Sequence, residues 1–240
     1  MNDENAKTPV LEFRNAEFKA AARSRTPAAK IDLVLSPGTF LIVRVRRRAE
    51  SRLLADAALG LEEPARGEVL FSGRPWRSRS FSAAFSLRAR IGRVFASHGW
   101  ISNLDVFENV LLPCLHHTRE PEKTLREKAR ALAKELGLSE IPAARPVSVP
   151  EETLEVLGWV RALLADPALV LLEQPEERVP SSRIPLLFEA LRARKKRKTA
   201  VLWFTRDPAC TGRRGIEPDG LFKASGDAPF TLENIHAETL

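Results

Sequence analysis

The stretch from Phe40 to Leu61, FLIVRVRRRAESRLLADAALGL, constrains the fold more than any other part of the chain. FLIV is a short apolar run with no polar alternation, the pattern of a parallel strand covered by helices on both faces of its sheet. LLADAALG continues as a helix, and Gly60 is placed to end it in the left-handed conformation before the acidic, proline-containing EEPARG. Strand, tight turn and helix follow one another directly, and the turn runs from Arg44 to Arg52.

That layout is the framework of a phosphate-binding loop, G-x-x-x-x-G-K-[ST]. In such a loop the glycines let backbone N–H groups turn inward around the anion and the lysine reaches the outer phosphates. Here the chemistry is missing. No glycine occurs between Gly38 and Gly60 and no lysine between Lys30 and Lys123, so no shift of register restores the motif. Aligned on Gly60, Val45 and Glu50 hold the glycine positions, Ser51 the lysine position and Arg52 the magnesium-binding hydroxyl position. Arg44, Arg46, Arg47 and Arg48 carry guanidinium groups that suit phosphate oxygens. Alternation along a strand turns at least one of them away. Two readings stand: an anion site at Arg46, Arg47 and Arg48, or, as favoured here, a loop that has abandoned phosphate, its arginines paired to acids or solvated.

A chain of 240 residues fits one large domain with a sizeable core. Its 44% hydrophobic and 29% charged content is ordinary for a soluble protein, and no run of about 18 uncharged apolar residues suggests a membrane span. The opening MNDENAKTPV lacks the layout of a secretory signal, so a cytoplasmic location is expected. Cys114 and Cys210 have no metal-ligand spacing around them and read as incidental free thiols; no metal site is expected. A net charge of +7 suits nucleic acid or an anionic membrane. However, the densest basic run, RARKKRK at Arg192 to Lys198, falls where a helix ends and complements its dipole. Nucleic acid is disfavoured because no aromatic residues interleave the run.

Along the chain, LEFRNAEF reads as an edge strand, Ser36-Pro37-Gly38 as a turn between two strands, and Ile91 to Phe95 as a further strand. Asn103 or Asp105 is placed to cap the next helix. Glu120 to Leu138 is amphipathic, with Leu125, Ala129, Leu132 and Leu136 at helical spacing and Gly137 as its stop. A helix from about Glu151 to Ala165 ends at Asp166-Pro167. The strand ALVLLEQP, a helix over Ile184 to Arg194 and the strand TAVLWFT follow, with one weak strand at Gly220 to Lys223. This alternation indicates a mostly parallel α/β sheet with an antiparallel portion near the N-terminus.

The phrases SPGTFLIV, ALGLEEPARGEVLFSGRPW, RARIGRVF, SNLDVFENVLLP, LGWVRALLADPALVLLEQP and VLWFTRD, in this order and spacing, resemble the nucleotide-binding subunit of an ATP-binding cassette (ABC) transporter across about Leu11 to Lys223. The resemblance implies a P-loop NTPase-like fold over 11–223, with a helical subdomain at about 97–160, a disordered segment 1–10 and a tail 224–240. HGW, SNL and ENV-LLP resemble, within that family, subunits of lipid-trafficking importers of the Mla type.

The departures from the family fall on its chemistry. The adenine-stacking aromatic is no tyrosine, since the chain has none; Phe18 substitutes only with a shift of register. The Q-loop glutamine, a sensor of magnesium and water, falls on Ala96, and the LSGGQ signature on Val149 to Thr153, where Glu151 and Glu152 repel a triphosphate. The Asp-Glu pair of the Walker B strand becomes Glu173-Gln174, and Gln174 cannot accept a proton as a carboxylate base does. Glu176 and Glu177 follow too late, past Pro175, to stand in. The switch histidine falls on Arg206, and no histidine lies between His117 and His236.

The resemblance, taken with these departures, implies a pseudo-ATPase in which Glu173 keeps the capacity to hold a magnesium-bound water but binding of ATP and magnesium is not expected. It would be a scaffold peripheral to the inner face of the membrane, docking a permease or pairing as a homodimer or with an active ATPase subunit. Trp100, Leu104 and Phe107 are the candidate permease contacts, with packing as their alternative role. The competing expectations are a divergent ATPase using Arg46 to Arg48, and a free regulatory protein binding anionic lipid or nucleic acid through Arg192 to Lys198.

Overall fold

The computed structural model describes residues 8–21, 26–97, 99–208 and 217–235. Among them, ten strands form one continuous sheet and six α-helices pack on it. The parallel portion holds β3 (Phe40–Arg44), β6 (Ile91–Val94), β7 (Leu169–Glu173), β8 (Ala200–Thr205) and β9 (Gly220–Ser225), in the spatial order β9-β3-β8-β7-β6. The antiparallel portion is built from β1 (Leu11–Phe18), β2 (Ala29–Leu35), β4 (Arg66–Phe71) and the short β5 (Arg74–Pro75).

The apolar runs work because alternate side chains serve two cores. Phe40 and Ile42 of β3, Val170 and Leu172 of β7, and Val201 and Trp203 of β8 point into one. Leu41 and Val43, Leu169 and Leu171, and Leu202 and Phe204 point into the other. The first core is closed by α3 (Val106–His117), α4 (Glu122–Glu135), α5 (Glu151–Leu163) and α6 (Ile184–Lys195); the second lies between α1 (Arg48–Ala58) and the antiparallel strands. The sequence-derived amphipathic helix is α4, which buries Leu125, Ala129, Leu132 and Ala133 and stops before Gly137, whose φ is +83°. Asp105, not Asn103, caps α3: its carboxylate accepts from the Glu108 N–H at 2.7 Å, and Glu108 accepts from the Asp105 N–H at 2.8 Å.

The C-terminal boundary differs from the expectation of a tail from residue 224. β9 runs on to Ser225, and β10 (Phe230–Asn234) pairs antiparallel with β9 and parallel with β2, joining the two halves of the sheet. Phe230 is fully buried, which a free tail does not provide. At the other end, residues 1–7 of the expected disordered segment lie outside the described residues, while Val10 is buried and its N–H donates to the Leu35 carbonyl at 2.9 Å.

β6 meets α5 at Gly92, where an added Cβ would lie 1.9 Å from the Ala162 carbonyl oxygen. Backbone cannot yield as a flexible side chain does, so Gly92→Ala is expected to cost about 3 kcal/mol through overpacking. Urea denaturation of the variant beside the wild type checks this.

Candidate functional site

The sequence places the site at the carboxyl ends of β3, β7 and β8, where ligands bind in open parallel sheets. β3 feeds through Val45, whose N–H donates to the Thr205 carbonyl at 2.9 Å, into a turn that opens α1. At the first turn of α1 the Glu50 side chain is completely buried. Its Oε2 accepts from the backbone N–H groups of Arg46 at 2.8 Å and Arg47 at 3.4 Å. Its Oε1 accepts from the guanidinium groups of Arg46 at 3.1 Å and Arg47 at 3.2 Å. The loop therefore holds an anion, and the anion is its own. A carboxylate in a helix's first turn also suits the dipole.

Ser51, at the lysine position, is buried; its hydroxyl donates to the Arg48 carbonyl at 3.0 Å and accepts from the Gln174 side-chain amide at 3.1 Å. Gln174 adopts φ +46°, and its N–H donates to the Phe204 carbonyl at 2.9 Å. The end of β7 is thus tied directly to the first turn of α1. Arg52 is largely exposed and lies 3.5 Å from Asp56.

Glu173, at the end of β7, is buried against Arg93 from β6 at 2.8 Å, and Arg93 also reaches Asp56 of α1 at 2.6 Å. Burial raises the Glu173 carboxyl above its usual range, with Arg93 opposing. Glu176 accepts from the Trp203 indole at 3.0 Å and from the Thr205 hydroxyl, and burial raises it as well. Glu177 goes the other way. Burial pushes it up, but hydrogen bonds from Arg206, at 3.0 Å, and Arg48 outweigh that and hold it below the ordinary value.

Arg206, at the switch position, and Arg48 of the loop thus share one carboxylate. Ala96, at the Q-loop position, offers only its carbonyl, which accepts from Arg178; the same guanidinium binds Glu155 at 3.2 Å and Glu151 at 3.0 Å. Glu151 and Glu152 open α5 where its dipole favours acids, and Glu152 pairs with Arg183 at 2.9 Å. Among the described residues no cluster of side chains suits a metal ion.

Within the loop, Arg46 and Arg47 pair with Glu50, and Arg48 pairs with Glu177. Two expectations change. Phe107 is a core residue, 5% exposed and covered by the guanidinium groups of Arg126 and Arg130 at 4.6 and 5.1 Å, so it is not a surface contact. Trp100 and Leu104 are half-buried, and Trp100 packs under Arg161 at 4.4 Å. Phe18 is buried in β1 and forms no stacking platform. The basic run is largely committed: Arg194 is buried and bonds the Ala190 carbonyl, Lys195 pairs with Asp219 at 2.7 Å, and Arg197 pairs with Asp166 at 3.1 Å. Arg93 and Arg178 were missed by the sequence reading. A charged residue inside the strand phrase RIGRVF was the available signal, because a buried arginine needs an acid.

Strand order, phosphate-loop frame and helical layer together define the class: the chain has the ABC ATPase form of the P-loop NTPase fold. No protein-family model matches it. Its fold is similar to the dimeric structure of MJ0796, a bacterial ABC transporter cassette, with TM-score 0.77 and 19% identity over 89% of this chain and 93% of that one. It is similar to the dimeric post-hydrolysis state of the same cassette bound to ADP and Pi, with TM-score 0.79 and 19% identity over 95% and 99%. A third likeness is to the ATP-binding subunit of an ABC transporter, with TM-score 0.78 and 16% identity over 95% and 90%.

Glu50→Ala is expected to destabilise the fold by about 2 kcal/mol: the N–H groups lose their acceptor, while the arginines left behind, 40% and 58% exposed, can turn to water. Chemical denaturation measures this. Glu177→Gln is expected to cost on the order of 1 kcal/mol at neutral pH, since both its arginines are nearly half exposed. Because the folded carboxyl sits below its unfolded value, its contribution is complete above the ordinary carboxylate range. The gap from wild type therefore closes as the pH falls through the folded value, which a stability series against pH would show.

Proposed function

We propose that this chain is a catalytically degenerate ABC-type subunit, a pseudo-ATPase that serves as a scaffold or regulatory partner. The observation that carries the reading is the buried Glu50 carboxylate, which takes the loop's inward N–H donors. Gln174, Glu173 and Arg206 stand in place of base, metal ligand and switch, each already bonded within the protein. Losing a single charge-stabilising contact commonly costs on the order of 10²–10³ in rate. Here every such position is altered, so turnover is not expected.

The partner in this reading is a membrane permease, joined by a second copy or by an active ATPase subunit. The MJ0796 cassettes are dimeric, which supports a paired arrangement. No helix among the described residues is long and apolar enough to cross a membrane, which fits a subunit peripheral to the cytoplasmic face. The lipid-trafficking branch is carried by the sequence phrases HGW, SNL and ENV-LLP alone.

One observation favours a second reading. A cleft of about 620 Å³ opens beside the loop, lined by Arg48, Arg52 and Arg93 and also by Asp56, Glu62 and Glu173. An ATPase holding nucleotide through arginines would use it, but the acids beside those arginines weaken its attraction for a triphosphate.

Equilibrium titration of the purified chain with ATP and ADP, with and without magnesium and into the millimolar range, separates the two. The scaffold reading expects no binding under any of these conditions. Tight magnesium-dependent binding would overturn it and favour the arginine cleft.

A further inference from the structure

Two adjacent carboxylates follow β7 in opposite surroundings. Glu177 is held by two guanidinium groups, Arg48 of α1 and Arg206 after β8. Glu176 is 8% exposed and accepts from neutral donors: the Trp203 indole N–H at 3.0 Å on Oε2 and the Thr205 hydroxyl on Oε1. Trp203 and Thr205 are themselves fully buried, the indole stacked on Phe188 at 5.2 Å. The Thr205 hydroxyl also accepts from the Asp207 N–H at 3.0 Å, so these bonds tie the turn after β7 to the end of β8.

Among the described residues no cation pairs with Glu176. The cations on the elements around it are engaged elsewhere: Arg48 and Arg206 with Glu177, Arg93 with Glu173 and Asp56, and Arg178 with Glu151 and Glu155. Arg44 stands opposite Thr205 in the register of β3 and β8, and among the described residues it makes no ion pair to Glu176. Asp207 adds an acid to this corner, not a cation. A carboxylate without water or a cation loses its hydration uncompensated, and a group so placed keeps its proton instead. Burial raises the Glu176 carboxyl, the charge of Glu177 adds to it, and the bonds from Thr205 and Trp203 oppose it. The neutral acid fits the site as built, because hydroxyl and carboxyl share one hydrogen bond that either can donate.

We propose that Glu176 is a proton-operated latch: holding its proton, it fastens the turn after β7 to the end of β8, and on losing it the turn loosens, along with the bonds that Gln174 and Glu177 make to Ser51 and Arg48 of α1. The folded chain binds this proton more tightly than the unfolded one. Its contribution to stability is therefore complete below the ordinary carboxylate range and is lost as the pH rises through the raised folded value. Glu177, held below its ordinary value, runs the other way, and its contribution is lost as the pH falls. The latch concerns how the neighbours of the loop are held and does not depend on the scaffold reading.

The test uses the full chain, isotopically labelled at its glutamate carboxyl carbons and followed by NMR from about pH 4 to about pH 9. One signal is expected to titrate above the ordinary carboxylate range and to be missing from Glu176→Gln. Thr205→Val removes one partner and leaves the carboxyl in place; it is expected to move the same signal, so the assignment does not rest on one variant. Glutamine keeps the shape of the neutral acid. As the pH rises through that titration, amide exchange at residues 176 to 178 is therefore expected to accelerate at least about tenfold more in the wild type than in Glu176→Gln. The amides of α2 (Phe81–Arg88), which has no hydrogen bond to this turn among the described residues, are expected to behave alike in both. In urea, the variant is expected to gain on the wild type as the pH rises.

A Glu176 signal that titrates within the ordinary range overturns the proposal. So does a raised titration with equal exchange in wild type and variant, which leaves a buried acid that fastens nothing. Should Glu176→Gln fail to fold, exchange at the turn in the wild type is set against that of α2 across the same titration, and parallel rates overturn the proposal. Nucleotide binding, or its absence, decides the scaffold reading and leaves each of these outcomes unchanged.

Discussion

A carboxylate stripped of water must take its hydrogen bonds from the protein, and Glu50 takes them from the loop that frames the carboxyl end of β3. The backbone N–H groups of Arg46 and Arg47 turn inward in this chain as they do around a phosphate, but they meet a side chain held in place by covalent connection. A tethered ligand needs no concentration to compete. The conformation of the turn, the start of α1 and the placement of Ser51 beside Gln174 all follow from where that carboxylate sits.

Around it, ion pairs join the elements that meet at the carboxyl ends of the strands. Arg93 ties the end of β7 to α1 through Glu173 and Asp56. Glu177 joins the loop to the end of β8 through Arg48 and Arg206. Arg178 fastens the segment after β6 to the start of α5. The most buried of these contacts, Arg93 with Glu173, stabilises little relative to an apolar pair but is costly to break from one side. Such contacts fix one arrangement of the elements more than they add to the stability of the whole.

Much of the fold was legible because its signals are local. Continuous apolar runs in β3, β7 and β8, Gly60 at the end of α1 and Ser36-Pro37-Gly38 before β3 each act within a few residues. The absence of glycine and lysine from the loop was equally local. What replaced them was not, because a side chain's partner is set by the assembled fold. Arg48 and Glu177 stand 129 positions apart, and nothing in either neighbourhood names the other. Phe107 misled because its phrase, DVFENVLLP, placed it in a surface framework, whereas the helical spacing of Val106, Val110, Leu111 and Cys114 carries it into the core. β10 was missed because a five-residue strand reads weakly until β2 and β9 supply its partners.

The interlocked pairs also shape which sequence changes the chain can accept. Exchanging Glu50 for glycine leaves two N–H groups without their acceptor and removes the carboxylate that Arg46 and Arg47 share; exchanging Gln174 for glutamate places a charge in a buried site beside a serine; altering Glu173 alone leaves Arg93 without its second acid. Each such exchange, taken alone, breaks a bond that holds the loop or its neighbours in place. Selection acting on one substitution at a time therefore meets a barrier here, and re-pairing the network would need linked changes on α1, β6 and β7 together.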